Sequence, residues 1–104
     1  MDAQLKKGIL EMCILNIINQ REMYGYDIMK YMGQFFPEVD ESTFYAILRR
    51  LNKEGLTEVY YGQVSNGPRR KYYRILDKGR ESLHKSIDDW KNILFIVNEI
   101  GIKS

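Results

Sequence analysis

A chain of 104 residues, 44% hydrophobic and carrying a net charge of +2, has room for one domain and a modest core. Its single cysteine, Cys13, cannot form an internal disulfide, which fits a reducing compartment. No run nears the roughly 20 apolar residues of a membrane span, and no charged start with an apolar run marks a secretory signal, so a cytoplasmic protein is expected.

Apolar residues at Ile9, Leu10, Cys13, Ile14, Ile17 and Ile18 have the 3,4 spacing of an amphipathic helix over about 4–19. Cys13 falls on that stripe, where it reads as a small buried hydrophobe rather than a nucleophile. A second helix is predicted from about Tyr24 to Phe35, with Ile28, Met29, Met32 and Phe35 inward. Pro37 ends it by biasing the residue before it away from helical geometry.

A third helix follows in "VDESTFYAILRRLNKEGL". Asp40 is placed to cap its start and Gly55 to end it. Phe44, Ile47, Leu48 and Leu51 form the inward stripe. Thr43, Ala46, Arg49, Arg50 and Lys53 lie largely opposite, with Ser42 and Tyr45 near the exposed N-terminal end. "TEVYYGQ" and "RRKYYRIL" flank the turn "VSNGP", a hairpin by propensity and turn chemistry. Last comes a long helix over about 77–100. Leu83, Ile87, Trp90, Leu94 and Val97 make a 4,3,4,3 seam of the coiled-coil kind. Ile93, Phe95, Ile96 and Ile100 widen it beyond what one small domain can cover. The seam residues are the expected dimer interface.

Charge is unevenly placed. Between Arg49 and Arg80 stand nine Lys/Arg against three acidic residues, a local +6 that leaves −4 elsewhere. A basic face on an acidic molecule is the electrostatic footprint of a polyanion binder, although a solvated surface has the same composition.

Three helices, a hairpin and a long final helix form the order of a winged helix-turn-helix. The fold class is therefore expected to be mainly α with a small β-hairpin. Residues 1–76 would make the DNA-binding domain and 77–104 the dimerisation helix. The third helix would enter the major groove and the wing would hold the flanking backbone. Candidate DNA contacts are Ser42, Thr43, Tyr45 and Arg49 on the helix, and Arg69, Arg70 and Lys71 on the wing, with Asn66 and Gly67 in its turn. Strand alternation sends Arg69 and Lys71 to one face and Arg70 to the other. Arg50 and Lys53 read as solvated or long-range contributors, Tyr72 and Tyr73 as wing packing. Tyr24 and Tyr26 are secondary candidates for a phosphate. The alternative is a winged helix used for protein assembly or RNA binding.

"GYDI", "STFYAILRRLNKEGL" and "GPRRKYYRILDKGRESL", in this order and spacing, resemble the PadR family of bacterial transcriptional regulators. The ending at one C-terminal helix resembles the short branch of that family, in which this helix builds the dimer. The resemblance implies a homodimeric DNA-binding repressor, often controlled by a small molecule. Two positions depart from the family pattern. Ala46 stands where proline is common, and Leu76 where threonine is common, so Asp77 is expected to take over the capping role.

Trp90 has two readings: a packing residue of the dimer seam, or one of two copies that meet at the dimer's twofold axis and sandwich a planar aromatic effector. The second is supported by the resemblance, since multidrug-sensing relatives carry a tryptophan at the matching place. Catalysis is not expected. His84 is the only histidine, Asp88 and Asp89 are adjacent and diverge on a helix, and no Cys/His cluster has metal-ligand spacing. No metal or cofactor is implied.

Overall fold

The computed structural model describes residues 3–62 and 69–103. The turn residues Asn66 and Gly67 lie outside the described residues. Helix α1 (Ala3–Gln20) buries Leu10, Ile14, Ile17 and Ile18 as the spacing requires, together with Leu15. Cys13 is half-buried against the core, and that burial pushes its thiol pKa up, so it remains a protonated, weakly reactive thiol.

Helix α2 (Gly25–Phe35) turns Ile28, Met29 and Met32 inward. Phe35 does not follow them. It is the last helical residue and is 63% exposed, with its ring edge-on to Tyr31 at 5.3 Å. Phe36 packs on the core instead, where its N–H closes on the Met32 carbonyl at 2.9 Å. The helical stripe ends one residue earlier than periodicity alone suggests, because the chain unwinds before Pro37.

Helix α3 (Glu41–Lys53) buries Phe44, Ile47, Leu48 and Leu51. Asp40 occupies the N-cap position without a side-chain cap; its backbone carbonyl accepts the Thr43 N–H at 3.0 Å. Gly55 ends the helix at φ +78°, a left-handed conformation that glycine adopts without a Cβ penalty.

Strands β2 (Thr57–Gly62) and β3 (Arg70–Ile75) pair antiparallel with Thr57 opposite Ile75 and Gly62 opposite Arg70. The sheet has a third member that periodicity cannot reveal. Strand β1 (Met23–Tyr24), only two residues long, pairs with β3 through Met23–Tyr73 and Tyr24–Tyr72, giving the order β1-β3-β2. Tyr73 and Ile75 point into the core; Arg70, Tyr72 and Arg74 alternate to the other face.

Helix α4 (Asp77–Ile100) starts at Asp77, with Leu76 at the N-cap position. Asp77 is thus not the cap. It is the first helical residue, and its carboxylate takes Arg80 at 2.7 Å. The helix begins tight against the α3–β2 connection. A Cβ on Gly79 would collide with the Leu56 carbonyl oxygen, which also accepts the Leu76 N–H at 3.0 Å. Leu83, expected in the dimer seam, is 1% exposed within the core of its own chain. It is a core residue and unavailable to a partner, because the first turns of α4 lie on the domain rather than projecting from it. Ile87 packs at the core's edge, and beyond it the helix leaves the domain. Among the described residues, no helix is long and apolar enough to cross a membrane.

Candidate nucleic-acid interface

The outward side of α3 presents Ser42, Thr43, Ala46 and Arg49 to solvent. Tyr45 is half-buried against the core. Burial, with the neighbouring Tyr24 hydroxyl and Glu41 as lesser causes, pushes its phenol up from the ordinary value, so at neutral pH Tyr45 keeps its proton and can donate it. The dipole of α3 makes its N-terminal end favourable to anions.

The cations of the basic segment divide into two groups. Arg50 is paired with Glu11 of α1 and, at 3.8 Å, with Glu54. Arg74 takes Glu58 at 2.6 Å and Glu22 at 3.8 Å. Arg80 is held by Asp77, and Lys78 donates to the Glu54 carbonyl at 2.9 Å, closing the C-terminus of α3. These four cations have partners within their own chain. Arg49, Lys53, Arg69, Arg70 and Lys71 are exposed and form no ion pair among the described residues. The set of unpaired cations is therefore smaller than the basic segment read from the sequence: Arg49 and Lys53 on α3, and Arg69, Arg70 and Lys71 at the turn end of the wing.

The outer face of the sheet is an aromatic ladder threaded by cations. The Tyr60 and Tyr72 rings stack at 5.5 Å and 16°. Tyr72 meets Tyr24 at 6.0 Å, and Tyr24 meets Tyr26 at 6.1 Å. The Arg70 guanidinium lies 5.0 Å over Tyr24 and that of Arg74 4.8 Å over Tyr60. The Tyr60 phenol is hydrogen-bonded to Glu22, which raises its pKa. Lys71, on the opposite face of β3, reaches over Tyr73 at 5.7 Å. The alternation expected of Arg70 and Lys71 is present, whereas Arg69 precedes the strand. Tyr72 packs within the wing as anticipated; Tyr73 goes further and enters the core.

At the far end, Trp90 is 37% exposed and borders a hollow of about 480 Å³ between α1, α2 and α4. Met12, Cys13, Tyr31, Phe35 and Phe36 line it with Trp90. Leu94, Ile93, Phe95, Ile96 and Ile100 continue along α4 as exposed apolar surface, and Val97 is half-exposed among them.

Residues 14–85 match the model of the Transcriptional regulator PadR-like family. The chain belongs to the PadR-like family of transcriptional regulators. A crystal structure of a PadR-like regulator from Bacillus cereus is similar at 40% identity and a TM-score of 0.85, covering 98% of this chain and all of that one. The negative transcriptional regulator PadR of Bacillus subtilis is 30% identical over 79% of this chain, which spans only 44% of that relative. A crystal structure of Bacillus subtilis PadR with operator DNA is similar at 26% identity and a TM-score of 0.67, over 76% of this chain and 46% of that one. PadR-like proteins of this family regulate transcription and are not enzymes, and the winged-helix architecture is the family's own. The matched segment runs from the second half of α1 through α2, α3 and the sheet to the start of α4, and stops short of Trp90.

The contribution of β1, and with it Tyr24 as the link between α2 and the wing, has no sequence signal of its own. A two-residue strand shows no periodicity. Only the tyrosines at 24, 60 and 72 hint at it, and nothing local says that they meet.

Proposed function

We propose that this PadR-family chain is a repressor that binds a pseudo-palindromic DNA operator as a homodimer and is released by a planar aromatic ligand. The observation that carries the DNA reading is a set of five exposed cations without carboxylate partners among the described residues, Arg49 and Lys53 on α3 and Arg69, Arg70 and Lys71 on the wing. Leaving such charges unneutralised while three neighbours, Arg50, Arg74 and Arg80, are paired with carboxylates suits a surface that meets phosphate. In this reading Ser42, Thr43, Tyr45 and Arg49 face base edges in the major groove, and Arg69, Arg70 and Lys71 hold the backbone. The relative's description as a negative regulator favours repression, and the operator complex of Bacillus subtilis PadR favours duplex DNA over RNA or protein.

The dimer reading rests on Trp90, Ile93, Leu94, Phe95, Ile96, Val97 and Ile100, which leave a large apolar surface on the distal part of α4. Ile87 would sit at its inner edge. The ligand reading rests on the hollow beside Trp90, whose mostly apolar walls combine aromatic and thioether groups with the polar Asn16 and Gln20 and suit a flat, largely apolar molecule. A ligand that binds the DNA-incompetent state 10-fold better weakens the operator complex by about 1.4 kcal/mol, and DNA weakens the ligand equally.

Selection of bound sequences from random duplex DNA tests the central reading. Enrichment of two inverted half-sites about one helical turn, ~34 Å, apart is the expected outcome; absence of any enriched duplex overturns it. For the ligand, the single tryptophan makes Trp90 emission the reporter. A panel of planar aromatics should quench it and lower operator affinity. Unchanged emission across the panel leaves Trp90 a packing residue.

A further inference from the structure

The wing and the recognition helix come from separate stretches of chain, yet a phosphate clamp works only if its cation is held at a fixed place relative to the base-reading helix. Tyr24 sits where this is decided. It is the last residue of β1 and the N-cap residue of α2, so its backbone belongs both to the sheet and to the helix on which α3 packs. Its ring meets Tyr72 of β3 at 6.0 Å and carries the Arg70 guanidinium at 5.0 Å from its centroid. The Tyr24 hydroxyl is also among the groups felt by Tyr45 of α3. One side chain thus touches the wing strand and the wing's cation, and its backbone starts the helix on which α3 packs.

We propose that Tyr24 is a positioning residue for DNA binding: its ring face stacks on Arg70 and holds that guanidinium in register with α3, and its hydroxyl makes no necessary phosphate contact. This rests on the DNA-binding reading above. The physical basis is the electron-rich ring face, which attracts a guanidinium and favours its planar stacking. An arginine so held loses less rotamer freedom on meeting a phosphate than one free in solvent. Removing the ring leaves the charge in place and takes away the pre-organisation.

The test is a double-mutant cycle on operator affinity with Tyr24→Leu, Arg70→Ala and both together, in the intact chain. Tyr24→Leu is expected to weaken operator binding about two- to five-fold per subunit, the scale of one cation–π contact. In the Arg70→Ala background the same change should cost almost nothing, because no guanidinium is left to hold. Tyr24→Phe keeps the ring face and should restore affinity to within about twofold of the parent. Arg70→Lys, on an exposed side chain that does not threaten the fold, keeps the charge with poorer stacking and should cost at least about twofold.

Additive losses in the cycle would overturn the proposal, as would a Tyr24→Phe protein as weak as Tyr24→Leu, which would make the hydroxyl a direct contact. If Tyr24→Leu does not fold, the Phe and Lys variants decide alone: loss with Phe, or no loss with Lys, overturns it. A parent protein that binds no duplex overturns the DNA reading itself, an outcome distinct from any pattern among the variants.

Discussion

From Asp77 to Ile87, α4 lies on its own domain: Gly79 abuts the Leu56 carbonyl, Leu83 is buried, and Ile87 closes the edge. From Trp90 to Ile100 the same helix carries apolar side chains that the chain leaves uncovered, up to 75% exposed at Ile100. Both halves have the same spacing of hydrophobic residues, so helical periodicity alone cannot tell a core stripe from an interface stripe. What differs is what lies underneath. The charged side of the molecule divides similarly, into cations that are paired and cations that are not. In each case the unmet group is the one that points to a partner.

The contrast between the halves of α4 is tested most severely by cutting the helix after Asp88. This spares Leu83 and Ile87, so the shortened protein should still melt cooperatively while sedimenting as a monomer. Loss of the second DNA-binding copy should lower operator affinity about 100-fold or more. A truncated chain that stays dimeric would move the interface elsewhere.

Point substitutions sharpen the same contrast. Leu83→Ala should cost about 2–5 kcal/mol of folding stability, by removing buried methyl groups and leaving a cavity, and the loss should be the same at every protein concentration. Leu94→Asp should instead abolish the concentration dependence of the melting temperature, since what it removes is association. Thermal melts at two concentrations separate the two; a concentration-dependent loss for Leu83→Ala would return that residue to the seam.

The paired and unpaired cations offer a third comparison. Replacing Arg69 and Lys71 together by Ala should weaken binding to all duplexes and lower the salt slope by about 0.9 for each phosphate left unneutralised. Arg49→Ala or Thr43→Ala should change the ranking of operator variants, by about 1–3 kcal/mol at the affected base pair. Titrations across salt and sequence that gave both classes the same signature would merge the clamp with the reader.

The smallest effect is expected at Asp40. An N-cap carboxylate that accepts a helix N–H is worth about 1 kcal/mol, but Asp40 makes no such bond, so Asp40→Ala should cost only a few tenths. A loss near 1 kcal/mol in chemical denaturation would mean that the cap forms in solution.

Much of the architecture is legible from local pattern. The 3,4 spacing in α1 and α3, the stop at Gly55, the alternation of the hairpin and the length of α4 are properties of neighbouring residues. So is the resemblance carried by "GYDI", "STFYAILRRLNKEGL" and "GPRRKYYRILDKGRESL". The candidate site is legible as a set of cations but not as a selection among them. Arg50 is taken up by Glu11, and Arg74 by Glu58 and Glu22, partners that lie well away in the chain and on other elements.

Sequence by itself determined the four helices and the hairpin, their order and the existence of one basic and one apolar surface, because hydrophobic period, turn chemistry and charge density act over a few residues. Tertiary structure alone decided that Leu83 faces inward, that Phe36 rather than Phe35 joins the core, and that Met23 and Tyr24 complete the sheet. These outcomes depend on which distant group occupies the space beside each side chain. Burial and pairing are properties of that neighbourhood, and a one-dimensional pattern carries the period of a face without the identity of what it meets.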